Sequence, residues 1–342
     1  MKKLFGYQKG VDLGGWLSQG SLEKNHLDTF ITEKDIETIA SWGCDHVRLP
    51  VDYENIENSD GSVKETGYDY IRSCIGWCRK NGLNLVLDLH KTFGYTFDDQ
   101  KASASFWSNN AAQDRFIALW ENIMSHFAGD SDIVMFEPLN EVAGDVSEEW
   151  NRLVLRCIKT IRSYSVNAKI LVGGTGWNAP SCTPFLPDFT DENIVLNFHC
   201  YEPHIFTHQS ASWVDYIPDD FRIRYPDDYE KYLRLTREMT GNPDHCLYCF
   251  EPNVKKFGSE YFKGVFMPAV EKAQKCRLPL YCGEYGVIEF AEPKDTLEWF
   301  KDIHTGFEEM GIGRAVWSYK KMGFGISDSH YGSIFNELIK LL

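Results

Sequence analysis

The stretch MFEPLNEV, from Met135 to Val142, begins as an apolar run and ends on an amide and a carboxylate, Asn140 and Glu141. A second apolar run ends in the same way in YCGEYG, where the closing acid is Glu284. A charge beside an apolar core costs free energy unless it is paired or hydrogen-bonded. The two glutamates are therefore candidates for chemistry.

Two carboxyl groups that flank one bond are typical of glycoside hydrolysis. One donates a proton to the leaving oxygen, and the other attacks the anomeric carbon if the two stand about 5–5.5 Å apart, which retains the configuration. Mutual repulsion and partial burial raise the pKa of one carboxyl, so that it carries a proton near neutral pH. The amide of Asn140 can then bind the 2-hydroxyl of the sugar.

Polar or aromatic side chains also close four other apolar runs. They are Arg48 in HVRLP, His90 in LDLH, His199 and Tyr201 in NFHCY, and Trp317 in AVWSY. Each has an ordinary structural explanation: a salt bridge for an arginine, a hydrogen-bonded core position for a histidine, core packing for a tryptophan. Their occurrence at matching ends of different runs favours one shared site.

Eight short β-rich runs alternate with amphipathic helical patterns along the chain. The runs are Tyr7–Asp12, Cys44–Arg48, Leu83–Leu89, Ile133–Leu139, Lys169–Val172, Ile194–Phe198, Leu278–Cys282 and Arg314–Trp317. Alternating strands and helices predict a parallel sheet. Eight such pairs within 342 residues favour an α/β fold of the closed (β/α)₈ barrel type, in which active sites lie where strands end.

One long segment departs from this alternation. The stretch from Tyr201 to about Gly258 is too long for a plain loop and is rich in proline, aspartate and aromatic residues. We therefore predict one catalytic domain over 1–342 with a subdomain inserted at about 202–258, after the sixth strand. Phe206 and Trp213 in this insert are candidates for substrate contacts, or for packing onto the barrel.

Composition bounds the partners and the location. The net charge is −15, from 50 acidic and 35 basic residues, and no basic stripe is present, which argues against nucleic acid and against an anionic membrane as partners. No obligatory protein partner is indicated.

The first residues, MKKLFGYQKG, lack a signal-peptide core, which predicts a cytoplasmic protein or a secreted one whose export signal is absent from this sequence. Among ten cysteines, Cys246 and Cys249 form a lone CxxC, and reduced thiols are the simplest interpretation.

The motifs FEPLNEV, CGEYGV, HVRLP, LDLH, NFHCY and AVWSY together resemble those of glycoside hydrolase family 5, the large cellulase family. The resemblance runs from Gly10 to about Lys321 and is greatest to compact bacterial endoglucanases with a subdomain after strand six. One position departs from the family pattern, because Lys91 follows His90 where many members have a second histidine.

The resemblance implies a role for each of the eight residues. Glu141 would be the acid/base and Glu284 the nucleophile. The supporting residues are Arg48 and Tyr201 for the nucleophile, His199 for the acid/base, and His90, Asn140 and Trp317 for the sugar in the −1 subsite. The chemistry implied needs neither a metal nor an organic cofactor.

The sequence thus predicts a retaining endo-β-glucanase that acts on β-1,4-glucan, mixed-linkage β-1,3-1,4-glucan or their oligosaccharides. Mannanase, xylanase or exo-acting activity are alternatives, since one fold hosts many substrates. A sugar-binding barrel without activity is a further alternative. Such a protein would have lost one of the two carboxylates, and both are present. A metal-dependent hydrolase would need ligands such as His90, His199 and Glu284.

Overall fold

Eight parallel strands close into a barrel in this computed structural model, which describes residues 1–242, 245 and 253–342. Cys246 and Cys249 lie outside the described residues. The strands are β1 (Lys9–Asp12), β2 (His46–Asp52), β3 (Asn84–Lys91), β4 (Val134–Glu137), β5 (Lys169–Gly173), β6 (Ile194–Cys200), β7 (Leu280–Tyr285) and β8 (Gly313–Val316). Each pairs with the next, and β8 pairs with β1, which confirms the predicted (β/α)₈ barrel.

Each of the eight predicted runs overlaps a strand, but the bounds differ. The strand β2 continues past Arg48 to Asp52, whereas β4 stops at Glu137, before the end predicted for it. Pro138 follows β4 directly, and proline has no backbone N–H to donate to a neighbouring strand. The side chains of Asn140 and Glu141 therefore stand on the loop that leaves β4.

Helices cover the outside of the barrel. The longer α-helices are Glu33–Ser41, Glu65–Lys80, Asn110–Phe127, Ser147–Tyr164, Tyr229–Thr240, Ser259–Cys276 and Pro293–Met310. Shorter α-helices are Lys24–Thr29, Tyr53–Ile56, Gln100–Ser103, His204–Thr207 and Phe335–Leu338, and 3₁₀-helices are Ala104–Ser108, Ala128–Asp130, Pro180–Phe185 and Ser329–Tyr331. In the described part of the chain, none of the helices is both long enough and apolar enough to cross a bilayer.

The connection between β5 and β6 departs from the repeating pattern. In place of a long helix it contains a tight turn, Thr175–Asn178, and the 3₁₀-helix Pro180–Phe185. Gly176, Trp177 and Asn178 all have left-handed φ angles, between 55° and 62°. Proline within the following 3₁₀-helix removes backbone donors that a regular α-helix would need.

Alternation along the strands fills the barrel interior with layers. An apolar layer closes the end where the strands begin, and it consists of Leu4, Tyr7, Val86, Met135, Leu171, Val195, Tyr281 and Ala315. Val86 belongs to β3, and Asp88 and His90 lie two and four residues after it, on the same face of the strand. The polar residues therefore collect where the strands end, above an apolar floor.

The segment after β6 packs on the barrel through its aromatic residues. The ring of Phe206 is fully buried and contacts Tyr225, with ring centroids 5.1 Å apart. The hydroxyl of Tyr225 donates a hydrogen bond to Asp302 in the helix that follows β7. Of the two alternatives for Phe206, substrate contact or packing onto the barrel, the structure supports packing. The bounds of about 202–258 for an inserted subdomain remain a prediction.

Candidate active site

The two glutamates singled out in the sequence meet at the barrel mouth. A carboxylate oxygen of Glu141 lies within 4.8 Å of a carboxylate oxygen of Glu284. Glu284 lies near the carboxyl terminus of β7 and is only 5% exposed, while Glu141 is partly exposed. The separation leaves room for one bond of a substrate between them, and it falls short of the roughly 6.5–9.5 Å that an intervening water requires.

Two donors hold the carboxylate of Glu284. Arg48 donates from Nη1 to Oε1 over 2.8 Å, and the Tyr201 hydroxyl donates to Oε2 over 2.9 Å. Burial raises the pKa of Glu284, and the Arg48 guanidinium and the Tyr201 hydrogen bond oppose that rise. Both contacts stabilise the ionised form, which is the form that can attack carbon.

The carboxyl of Glu141 has a different environment. The Nδ1 atom of His199 lies 2.8 Å from Glu141 Oε1 and 3.8 Å from Glu284 Oε2. Burial, followed by the charge of Glu284, raises the pKa of Glu141 well above its usual range. Burial and the Arg48 charge lower the pKa of His199, so that its ring is neutral at neutral pH. The proton shared by this pair therefore resides near Glu141, as an acid catalyst needs.

The three residues expected to contact a sugar lie beside this pair. The ring of His90 stacks on Trp317 with 4° between the planes and 5.7 Å between centroids. Asn140 accepts a hydrogen bond from Arg48 Nη2 over 2.8 Å, and its Nδ2 atom lies 3.5 Å from His90 Nε2. The peptide bond between Trp317 and Ser318 is cis. The structure thus brings all eight predicted site residues into one contact network.

Arg48 contacts more carboxyl groups than the sequence predicts. Beyond Glu284, the guanidinium contacts Glu137 at 2.7 Å, Asp88 at 3.0 Å and Asp12 at 3.3 Å. One cation therefore faces four buried carboxyl groups. Burial raises the pKa of Asp12 well above its usual range and raises those of Asp88 and Glu137 to about 7.

Two of the residues missed had a signal in the sequence. Asp88 lies two positions before His90, and its Oδ2 is 2.6 Å from His90 Nδ1. Asn197 lies two positions before His199 and donates to Glu137 Oε1 over 2.9 Å. Because alternate residues of a strand face the same side, each strand-end histidine indicated that the polar residue two positions earlier also faces the barrel interior.

Tyr95 could not have been found in this way, because it lies in a loop. Its hydroxyl donates to the backbone oxygen of Glu141 and accepts from the backbone N–H of Ala143, each over 2.7 Å. Its ring is buried. This phenol therefore fixes the backbone from the carbonyl of Glu141 to the N–H of Ala143, directly after the acid/base candidate.

Gly283, directly before Glu284, shows how tightly the site is packed. A Cβ atom at this position would stand 2.7 Å from His199 Nε2 and 2.9 Å from the side-chain amide of Asn197. Real side chains do not approach so closely, so a larger residue would displace the neighbouring polar groups. The glycine of the YCGEYG motif is thus required by close approach.

The same side chains offer ligand atoms to a cation. Glu141, His199 and Glu284 each contribute one such atom, and these atoms lie within 4.8 Å of one another. His90, named with His199 and Glu284 as a ligand in the metal alternative, is not in this group, and its Nδ1 faces Asp88. Because three such ligands resemble an open metal site, dependence of the activity on a metal ion is a measurable alternative.

A closed (β/α)₈ barrel with two facing carboxyl groups at its mouth, one held by two hydrogen-bond donors and the other with a pKa raised well above its usual range, defines a glycoside hydrolase. The sequence model of the family described as Cellulase (glycosyl hydrolase family 5) matches residues 11–323. The chain belongs to this family.

Similar proteins cover almost the whole chain. Endoglucanase C of Acetivibrio thermocellus is 41% identical over 340 residues, which is 98% of each chain. Cellodextrinase A of Ruminococcus flavefaciens is 40% identical over 316 residues, 92% of this chain and 86% of that protein. Among solved structures, the cellulose synthase subunit Z of Clostridioides difficile superposes with a TM-score of 0.78 at 22% identity, over 98% of this chain and 99% of that one. At this identity, the similarity to the solved structure shows a shared fold.

Proposed function

We propose that this protein is a retaining endo-β-glucanase that hydrolyses β-1,4-glucan, mixed-linkage β-1,3-1,4-glucan or their oligosaccharides. The observation that carries the proposal is the separation of at most 4.8 Å between carboxylate oxygens of Glu141 and Glu284. The relatives at 41% and 40% identity, an endoglucanase and a cellodextrinase, support β-glucan as the substrate.

In the first step Glu284 attacks the anomeric carbon while Glu141 gives its proton to the departing glycosidic oxygen. A covalent glycosyl–enzyme forms and the aglycone leaves. In the second step Glu141, now a carboxylate, takes a proton from water as the water displaces Glu284. The raised pKa of Glu141 and the two donors on Glu284 support this division of labour.

The remaining polar groups act on the charge and on the sugar. Arg48 and Tyr201 keep Glu284 ionised between turnovers, and His199 supports the proton on Glu141. Asn140 binds the 2-hydroxyl, a contact that strengthens in the transition state. The indole of Trp317, braced by the parallel ring of His90, forms the floor of the −1 subsite.

Lys91 directly follows His90, near the −1 or −2 subsite. Its ammonium lies 2.7 Å from Asp98 and 5.4 Å from the centre of the Phe97 ring, which packs edge-on against His90. An ion pair thus stands where many family members have a histidine. This difference supports a distinct preference for the sugar hydroxyls bound next to His90.

The stereochemical course tests the mechanism. Proton NMR of the first product released from cellopentaose should show the β-anomer before mutarotation produces the α-anomer. An initial α-anomer would contradict a double displacement. Purely terminal release of glucose, or viscosity that falls no faster than reducing ends appear on barley glucan, would contradict the endo mode.

Two comparisons separate the alternatives. The 40% identity to a cellodextrinase favours short oligosaccharides as a second substrate class, so rates on cellotetraose should be measured beside those on barley glucan, carboxymethylcellulose, glucomannan and xylan. Dialysis against EDTA should leave the rate unchanged. Loss of activity that added Zn²⁺ restores would instead support a metal at Glu141, His199 and Glu284.

A further inference from the structure

Glu137 lies one layer below the two catalytic candidates. It is the last residue of β4 and is 1% exposed. Its carboxylate accepts hydrogen bonds from Arg48 Nε over 2.7 Å and Nη2 over 3.2 Å, and from Asn197 Nδ2 over 2.9 Å. All three contacts are donors, so the ionised carboxylate is the form that this geometry accommodates.

Both partners of Glu137 continue to the nucleophile. Arg48 uses its Nη1 atom to hold Glu284 Oε1. Asn197 uses its Oδ1 atom to accept the backbone N–H of Gly283 over 2.9 Å, and Gly283 immediately precedes Glu284. One carboxylate is therefore connected to the nucleophile by two routes, one to its side chain and one to its backbone.

A third route leads to the acid/base. The Nη2 atom of Arg48 donates to Asn140 Oδ1 over 2.8 Å, and Asn140 immediately precedes Glu141. A guanidinium is a rigid planar fork, so two bonds to Glu137 fix the directions of its other N–H groups. The plane that Glu137 sets thus orients the donors toward both catalytic positions.

We infer that Glu137 is a positioning residue for this reaction, which sets the orientation of Arg48 and of the Gly283 backbone and, through them, the attack geometry of Glu284. The inference rests on the proposed function. Glu137 is 1% exposed and its carboxylate contacts Arg48 and Asn197, so it acts through these residues.

A glutamine at position 137 cannot reproduce these contacts. If its oxygen faces Arg48 Nε, its amide faces the Asn197 amide, and two donors oppose each other. If its oxygen faces Asn197, its amide faces Arg48 Nε. A rotated Asn197 would resolve the first conflict only by releasing the Gly283 N–H. Arg48 keeps Asp12, Asp88 and Glu284 as ionic partners, which favours a folded variant.

The test compares Glu137→Gln with Glu57→Gln. Glu57 is also buried, and its carboxylate accepts from Arg115 over 3.1 Å and 3.0 Å outside the site. For an activated aryl β-cellobioside, we expect kcat of Glu137→Gln to fall about ten- to a hundredfold with KM changed less than about threefold. The rate constant for covalent labelling of Glu284 by a 2-deoxy-2-fluoro cellobioside should fall in parallel. Glu57→Gln should lower the unfolding temperature without changing either rate.

A second variant separates the two routes. Asn197→Ala keeps every charge and removes the amide that connects Glu137 to the Gly283 N–H, while Arg48 keeps its contacts with Glu137 and Glu284. It should therefore slow labelling of Glu284 and leave KM near the wild-type value. If circular dichroism shows that Glu137→Gln does not fold, Asn197→Ala still tests the positioning role.

The outcomes are distinguishable. Wild-type protein that cannot cleave the activated cellobioside would overturn the proposed function itself. Wild-type turnover together with unchanged kcat and labelling rates in Glu137→Gln and Asn197→Ala would overturn the positioning role alone.

Discussion

A carboxylate oxygen of Glu141 lies within 4.8 Å of one of Glu284, although Glu141 lies in the loop after β4 and Glu284 lies in β7. Both carboxyl groups are largely buried, yet their partners differ. Glu284 is held by two donors, and Glu141 faces a neutral histidine. This asymmetry is the physical basis of the separate roles proposed for them, and it makes each role testable.

The nucleophile is the simplest to test. Glu284→Gln keeps the volume of the side chain and the donors around it, so we expect a folded protein whose kcat/KM falls by about 10⁴-fold or more. Rates on an activated aryl cellobioside, with circular dichroism as a check of folding, give the answer. Substantial turnover of that substrate by the variant would remove Glu284 from the role.

The acid/base should respond to the leaving group. Glu141→Ala should lose about 10²- to 10⁴-fold on a glucan, whose leaving alcohol needs a proton, and far less on a dinitrophenyl glycoside, whose leaving group does not. Added azide should raise the rate on the latter substrate and give a β-glycosyl azide. Equal losses on both substrates, without an azide product, would contradict the role.

The pKa of Glu141 should depend on the charge of Glu284. Burial and that charge both raise it, and the active form is protonated, so activity should decline as pH rises through the pKa of Glu141. Glu284→Gln removes one negative charge and should lower the pKa of Glu141. Carbon-13 NMR titration of protein with labelled glutamate carboxyls measures this, and an unchanged titration would show that the two groups do not interact.

Tyr95 should support the acid/base through the backbone. Tyr95→Phe removes the hydroxyl that bridges the Glu141 oxygen and the Ala143 N–H and leaves that buried donor unpaired, which costs about 1–3 kcal/mol. We expect kcat to fall about tenfold on poor leaving groups and less on good ones.

The matched control for this change is Tyr70→Phe. The Tyr70 hydroxyl donates to Asp28 at an exposed position, so its loss should affect neither kcat nor leaving-group dependence. A Tyr95→Phe variant that loses stability but keeps the wild-type dependence on the leaving group would mean that the phenol is merely structural.

Trp213 should matter for long substrates. Its ring is 58% exposed and lies 6.4 Å from Phe324, whose own ring is 6.0 Å from Tyr201. Trp213→Ala should raise KM for barley glucan about three- to tenfold and leave an aryl cellobioside unaffected. Phe5→Ala is the control, because Phe5 is 76% exposed and precedes β1, at the opposite end of the barrel. Equal KM values for Trp213→Ala and wild type would exclude this contact.

Much of the architecture was predictable because it repeats. Eight apolar runs that alternate with amphipathic helices favour a closed parallel barrel, and every run overlaps a strand. The sequence did not predict that the connection after β5 lacks a long helix. Its turn depends on three consecutive left-handed residues, which no hydrophobic periodicity reveals.

Within the site, the residues located from the sequence include Arg48, which lies inside β2, but they omit Asp88 and Asn197. Asp88 and Asn197 share a strand face with His90 and His199, so alternation could have indicated them. Tyr95 reaches Glu141 from a loop, and its position there follows from no local pattern.

The amino-acid sequence alone shows that polar side chains follow apolar strand-like runs, because strand period and turn chemistry are local properties. Only the tertiary structure decided how near Glu141 comes to Glu284, and how four carboxyl groups share the single guanidinium of Arg48. Those distances depend on the closure and register of strands far apart in the chain. Proton affinity depends on the same distances and on burial, so the division between acid and nucleophile is a property of the folded barrel.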